Sequence, residues 1–391
     1  MEIRVLTGEE LELEYYVWSQ AFERGDREMR WWREFPQKND ESVCTIGVFD
    51  EAGLQATVAI IDYRIHLGPE VVVPMGGLGG VACLPARRGR GYAGAGLKAS
   101  LERMREVGQV TSMLFPFSFE YYQRFGWEWI GLERHYTLPT RILRAVPETE
   151  NVRAATLEDR PAIIALYTQF AGRYRGCVRR GPKTWAAILD DEEKQYTYTY
   201  VYEQDGQIEG YLTYRGGKEE KTELREFLSL TPRAQRALLG LLKRHEMQVE
   251  KFHWNAPAED PLWSQRYHWD IETVLRPKTM GRLVDVPDAL QAWKPENEAR
   301  GAVNLAVQDE CAPWNTGTWR VEFAEREVSV RPTHDAPHVS LDIQALSQAY
   351  FGTPTVAEIR AADRLTVHDE SGYAALCQLL AGPPMWLNDD F

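Results

Sequence analysis

From Leu84 to Gly94 the chain reads Leu-Pro-Ala-Arg-Arg-Gly-Arg-Gly-Tyr-Ala-Gly, its densest concentration of potential chemistry. An apolar run through Val81, Ala82 and Cys83 stops at Pro85. A glycine-rich turn then opens a segment with Leu97, Leu101 and Met104 at helical spacing. The first turn of a helix carries unpaired N–H groups and partial positive charge, which suits a pyrophosphate. Glycine lets the backbone come close to phosphate oxygens where a Cβ would intrude. Gly89-Arg90-Gly91-Tyr92-Ala93-Gly94 also spells GxGxxG, but the dinucleotide fingerprint sits in a parallel βαβ unit. Here an antiparallel hairpin pattern precedes it, and the Gly-Lys-Ser/Thr of a Walker loop is missing.

No metal site is expected. Cys44, Cys83, Cys177, Cys311 and Cys377 are dispersed, without a CxxC pair, and all five are expected to be small buried hydrophobes. His334 and His338 are the closest histidines, but Pro337 between them works against a shared helical face.

The elements that must hold the loop come in two similar series. Ile3 to Leu6 reads as a strand. Thr7 caps a helix with Leu11, Tyr15, Trp18 and Phe22 on one face, and a hairpin joins Cys44–Phe49 to Leu54–His66. The order returns from Val152: a helix through Ile163, Leu166 and Phe170, then a hairpin of Tyr198–Tyr202 and Ile208–Tyr214. Self-similarity in fixed order marks a repeated unit. The second series keeps Pro232 and a helix with Leu238, Leu239 and Leu242, but its turn has no glycines, so it reads as scaffold. From about Gly281 the texture changes. Strands are expected at Val303–Val307, Thr318–Phe323 and Val328–Arg331, and helices at Ile343–Tyr350, Thr355–Ala361 and Gly372–Leu380. That makes a compact α+β unit large enough for its own core.

A chain of 391 residues implies two or three domains. No stretch approaches the roughly 20 apolar residues that span a bilayer, and no signal-peptide core is visible, so a cytoplasmic protein is expected. With 45 Lys and Arg against 58 Asp and Glu, the net charge of −13 disfavours nucleic acid and favours cationic partners such as amines.

The loop resembles the GNAT acyltransferase superfamily, whose Arg/Gln-x-x-Gly-x-Gly/Ala signature is met by Arg88-Gly89-Arg90-Gly91-Tyr92-Ala93. The resemblance implies that acetyl-CoA binds along Val81, Ala82 and Cys83, on Arg88 to Gly94 (including Arg90, Gly91, Tyr92 and Ala93), and near Phe117 and Ser118. In Phe117-Ser118-Phe119-Glu120-Tyr121-Tyr122-Gln123-Arg124-Phe125-Gly126, the superfamily places a tyrosine beside the departing sulfur. Tyr122 holds that position, with Tyr121, about 100° round a helix, as the alternative. A phenol with pKa near about 10 can protonate the leaving thiolate.

The whole layout is similar to the Eis (enhanced intracellular survival) family, through "YYQRFGWE", "LVDVPDAL" and a final phenylalanine. The resemblance implies an α+β fold of tandem GNAT-like domains, with mixed, mostly antiparallel sheets and flanking helices, plus a sterol-carrier-protein-like domain. Residues 1–147 would form the catalytic GNAT domain with the acetyl-CoA site, 148–283 a degenerate copy, and 284–391 the last domain, whose C-terminus reaches the active site. It further implies a homohexamer that acetylates primary amines on aminoglycosides, polyamines or lysine side chains and releases coenzyme A. The carboxylate of Phe391 would serve as base, with Trp386 and Leu387 anchoring the tail. Trp31 and Trp32 could wall a cationic substrate, and Asp390 or Asp389 could hold it. Direct transfer in a ternary complex is expected, because no cysteine or serine has a recognisable base partner. The rival readings are a non-catalytic coenzyme A sensor and a lipid-binding scaffold.

Overall fold

The computed structural model describes residues 1–23, 34, 40–189, 197–215, 221–265, 268–296 and 298–391. Three sheets organise them. In the first, β1 (Glu2–Val5), β2 (Val43–Asp50), β3 (Gly53–Leu67) and β4 (Val72–Cys83) form an antiparallel meander, with β2 and β3 joined by the expected tight turn. β5 (Thr111–Leu114) then pairs parallel to β4.

That parallel ladder runs only from Met75–Thr111 to Leu78–Leu114, whereas β4 continues to Cys83. Beyond Leu78 the two strands part. A bulge in the β3–β4 register lies at the same level, with Gly80 in the left-handed region at φ 55°. The indole of Trp18 explains why residue 80 is glycine, since any Cβ there would be driven into the ring. Trp18 Nε1 donates to Thr57 Oγ1 at 2.9 Å, and Thr57 donates on to the Gly80 carbonyl at 3.2 Å. One aromatic side chain therefore sets the bulge.

α1 (Leu11–Phe22) and α2 (Tyr92–Glu106) flank this sheet. On α2, Leu97, Leu101 and Met104 are fully buried, each contributing about 1.5–3 kcal/mol through loss of apolar surface. Glu14 of α1 is buried against β2 and accepts a hydrogen bond from Thr45 at 2.7 Å. Burial pushes its carboxyl from 4.5 up to about 7. The folded chain therefore binds the proton more tightly than the unfolded one, and stability is lost as pH rises between those two values. The full loss is about 3 kcal/mol. Glu14→Gln is expected to be more stable than the parent at pH 8 and nearly equal to it at pH 4. Denaturant titrations at the two pH values check this, and an equal offset at both would refute it.

The sheets are interleaved along the sequence. Thr279–Leu283 inserts in the first sheet between β5 and β6 (Glu128–Ile130), while Arg175–Val178 pairs with the far end of β3. Conversely Glu133–Pro139 joins the second, seven-stranded sheet, between Glu272–Arg276 and Lys251–Pro257. The third sheet holds the expected strands as Gly301–Gln308, Gly317–Ala324 and Glu327–Pro332. It adds two short ones, Val339–Asp342 and Leu365–Val367, that the sequence reading passed over. The fold is α+β, as expected. Of the five cysteines only Cys177 is buried; Cys44, Cys83, Cys311 and Cys377 are partly exposed, contrary to expectation.

Candidate active site

Where β4 and β5 part, a cleft of about 670 Å³ opens over the start of α2. Its wall includes Val81, Ala82, Cys83, Arg88, Gly89, Gly91, Tyr92, Ala93, Gly94 and Phe117 from the sequence-derived set. Arg90 and Ser118 lie outside that wall. Ser118 instead caps α3 (Phe119–Gln123), accepting from the Tyr121 amide at 3.2 Å. Ala21, Phe22, Arg87, Tyr121, Arg124 and Phe125 complete the wall and were not singled out as cofactor contacts from sequence. The signal for Arg124 was available: it lies two residues after the tyrosine pair, in Tyr121-Tyr122-Gln123-Arg124.

Gly91 caps α2 in the left-handed conformation at φ 86°, and Gly89 is left-handed too, at φ 76°. A Cβ built on either meets nothing within 4 Å, so the space beside both is open. Side chains fix the loop from behind. Tyr92 donates to Asp50 in the β2–β3 turn at 2.7 Å, Arg87 to Gln55 at 3.0 Å, and Arg88 to the Ala21 carbonyl at 2.8 Å. Arg87, Arg88 and Arg124 thus gather three cations round a cleft in a chain of net charge −13. Free helix N–H groups, open glycine faces and arginines are what a pyrophosphate requires, so these residues fit coenzyme A. Gly91→Ala is expected to cost about 1–2 kcal/mol from the left-handed backbone alone. Its methyl would also enter the phosphate space and weaken coenzyme A by at least about tenfold, or 1.4 kcal/mol. Calorimetric titration checks the second part, and undiminished affinity would contradict it.

Tyr122 and Tyr121 face different surroundings. Tyr121 is half-buried and lines the cleft, while Tyr122 is buried behind it, its ring 5.3 Å from those of Phe117 and Tyr121. Burial pushes both phenols up, and for Tyr122 the neighbouring Tyr121 adds to the effect. Burial also raises the Cys83 thiol, against a smaller opposite pull from Arg88, which keeps it protonated and a poor nucleophile. The turn after Tyr122 is clamped. Arg282, fully buried, pairs with Asp309 and donates to the Phe125 carbonyl.

Phe391 also packs on the first sheet. The Phe391 ring packs between Tyr63 and Phe115, 4.9 Å from each, and over Gly77 of β4. Phe115 directly follows β5, so the ring sits at the fork where β4 and β5 diverge. Asp390 pairs with Lys278 at 2.6 Å, and the partly buried Asp389 pairs with Arg180 at 2.8 Å. Trp386 and Leu387 are buried, so the expected anchors are in contact with the rest of the molecule. Trp31 and Trp32 lie outside the described residues. No group of three His, Cys, Asp or Glu among the described residues could hold a metal.

A forked β4–β5 pair with a helix start set between glycines is the arrangement that the resemblance to GNAT acetyltransferases led one to expect. Models described as acetyltransferase (GNAT) domains match residues 2–130 and 176–283, and a sterol carrier protein domain matches 286–388. An uncharacterized N-acetyltransferase of Streptomyces avermitilis is 26% identical over 387 residues, covering 93% of each chain. The N-acetyltransferase Eis of Mycobacterium tuberculosis is 23% identical over 369 residues, covering 86% of each. Among solved structures, a GCN5-related N-acetyltransferase from Anabaena variabilis superposes with a TM-score of 0.88 at 21% identity, over 100% of both chains. Eis1 from Mycobacterium abscessus gives 0.78 at 21% identity, also over 100% of both. The chain belongs to the GNAT superfamily and, by its tandem GNAT and sterol-carrier layout, to the Eis-like N-acetyltransferases within it.

Proposed function

We propose that the chain moves the acetyl group of acetyl-CoA to a primary amine of an aminoglycoside, polyamine or lysine side chain, by direct transfer in a ternary complex. The observation that carries this reading is the seating of Phe391 between Tyr63 and Phe115 at the β4–β5 fork. Acetyl-CoA supplies the acetyl group as an activated thioester. Arg87, Arg88, Arg124 and the amides of residues 89–94 hold its phosphates, and the exposed edge of β4 at Val81–Cys83 aligns the arm.

The terminal carboxylate of Phe391 takes the proton that the amine must lose before its nitrogen can attack the acetyl carbon. As the nitrogen–carbon bond forms and the carbon–sulfur bond breaks, the electron pair stays on sulfur. The Tyr122 hydroxyl supplies the proton that completes the thiol, and the second proton, shed by the nitrogen as the amide forms, passes through solvent to restore it. Cys83 takes no covalent part, in keeping with its raised thiol pKa. The acidic surface draws cationic substrates, with Asp390, Trp31 and Trp32 as further contacts. A cytoplasmic homohexamer completes the reading, on the strength of the Eis resemblance.

The test is thiol release from acetyl-CoA across polyamines, aminoglycosides and lysine peptides. Amine-dependent release with a mass gain of one acetyl group supports transfer. No release with any amine, despite coenzyme A binding, would leave a sensor rather than an enzyme.

A further inference from the structure

The second GNAT-like region has the fold but not the glycine loop, and residues 384–389 lie along it. Pro384 accepts from the Arg175 amide at 2.9 Å, and the Trp386 amide donates back to the Arg175 carbonyl at 2.9 Å, a parallel bridge to strand Arg175–Val178. The Cys177 thiol lies 3.3 Å from the Trp386 carbonyl, and the Trp386 ring packs against Phe170 and Tyr174 at 5.6 and 5.5 Å. The segment is bound as an added strand with one aromatic anchor, a recurring mode of peptide recognition.

Beyond Trp386 the contacts become ionic and buried. Arg180 stacks on Tyr167, 4.0 Å from its centroid, and spans two carboxylates: Asp389 at 2.8 Å and Glu226 at 2.5 Å. Side-chain exposure is 2% for Arg180, 1% for Glu226 and 13% for Asp389. Tyr211 donates to the other oxygen of Glu226 at 2.5 Å, and Asn388 donates to Glu226 at 2.9 Å. Such a network holds only one geometry, because any displaced member leaves a charge buried without its partner. Two residues later comes Phe391, at the fork.

We propose that Arg180, Glu226 and Asp389 are positioning residues. The second GNAT-like region is a seat for residues 384–389, and its ionic lock sets where Phe391 meets the reacting amine. The proposal rests on the acetyl-transfer reading above for its catalytic consequence, but the seat itself does not. A displacement of about 1 Å at a reacting group can cost about 10² in rate, so loosening the lock acts on turnover and not on the distant phosphate cleft.

The test uses the full chain, acetyl-CoA and spermidine, with Asp389→Asn as the main variant because it keeps the side-chain shape. Arg180→Met is a second variant. Hydrogen exchange of residues 384–391 reads the seat, and kcat against the acetyl-CoA KM reads its consequence. The expected result is faster exchange across the segment by at least about tenfold, following the larger open population. Turnover should fall by about 10², with the acetyl-CoA KM unchanged. In a chain lacking Phe391, Asp389→Asn should cost little more, since coupled residues are not additive. Parental exchange in both variants would overturn the seat. Parental turnover by Asp389→Asn, where loss of Phe391 abolishes it, would overturn the positioning role. If the parent itself acetylates nothing, the acetyl-transfer reading fails, and the exchange rates still decide whether the seat exists.

Discussion

Deleting Phe391 is expected to lower turnover by about 10²–10⁴-fold, the usual contribution of a positioned general base, while coenzyme A affinity stays unchanged. The ring is gripped by Tyr63 and Phe115 at the β4–β5 fork, so the carboxylate on the same residue has little freedom. Deletion withdraws that carboxylate by one residue, about 3.5 Å of extended chain, which is beyond hydrogen-bond reach of the original point. Among the described residues that line the cleft none belongs to the tail, so cofactor affinity has no reason to change. A companion variant separates ring from charge. Appending one alanine leaves the Phe391 side chain in place but replaces its carboxylate with a neutral amide. Both variants should be slow. Full activity in the extended enzyme would show that the base is elsewhere.

Tyr122→Phe should lower turnover by a similar factor of about 10²–10⁴ with little effect on folding, since only a hydroxyl is removed from a ring that stays packed on Phe117 and Tyr121. Burial and the neighbouring phenol raise the Tyr122 pKa above the ordinary tyrosine value. An acid so shifted remains protonated from pH 6 to pH 9. The rate of the parent should therefore hold up to about pH 10, where an acid with the ordinary tyrosine pKa of about 10 would already be half lost. Tyr121→Phe is the necessary partner experiment, because Tyr121 lines the cleft while Tyr122 is buried behind it. Loss confined to Tyr121→Phe would exchange their roles.

What could be read from sequence was local. The Pro85 stop, the glycines at 89, 91 and 94 and the apolar stripe of Leu97, Leu101 and Met104 each act within a few residues. The strand-to-helix turn was therefore legible. The hairpins were legible for the same reason, through alternation and the turn at Gly53. Strand exchange was not. Thr279–Leu283 reads as an ordinary short strand, and nothing in its own residues says that it pairs with Thr111–Leu114, far earlier in the chain. The ionic locks were equally hidden. Arg180 and Asp389, or Arg282 and Asp309, look like surface charges in a chain of mixed charge, and only tertiary packing shows them buried together. The partial exposure of Cys83 follows from the fork, which strips β4 of a neighbour at the point where local hydrophobicity suggested a covered strand.

The most direct test of the whole account is a crystal structure of the protein with coenzyme A. The account predicts pyrophosphate oxygens within hydrogen-bond distance of the main-chain amides of residues 89–94, and the thiol directed along β4 toward Tyr122 and Phe391. An empty cleft at saturating ligand, or coenzyme A bound at another surface, would contradict it.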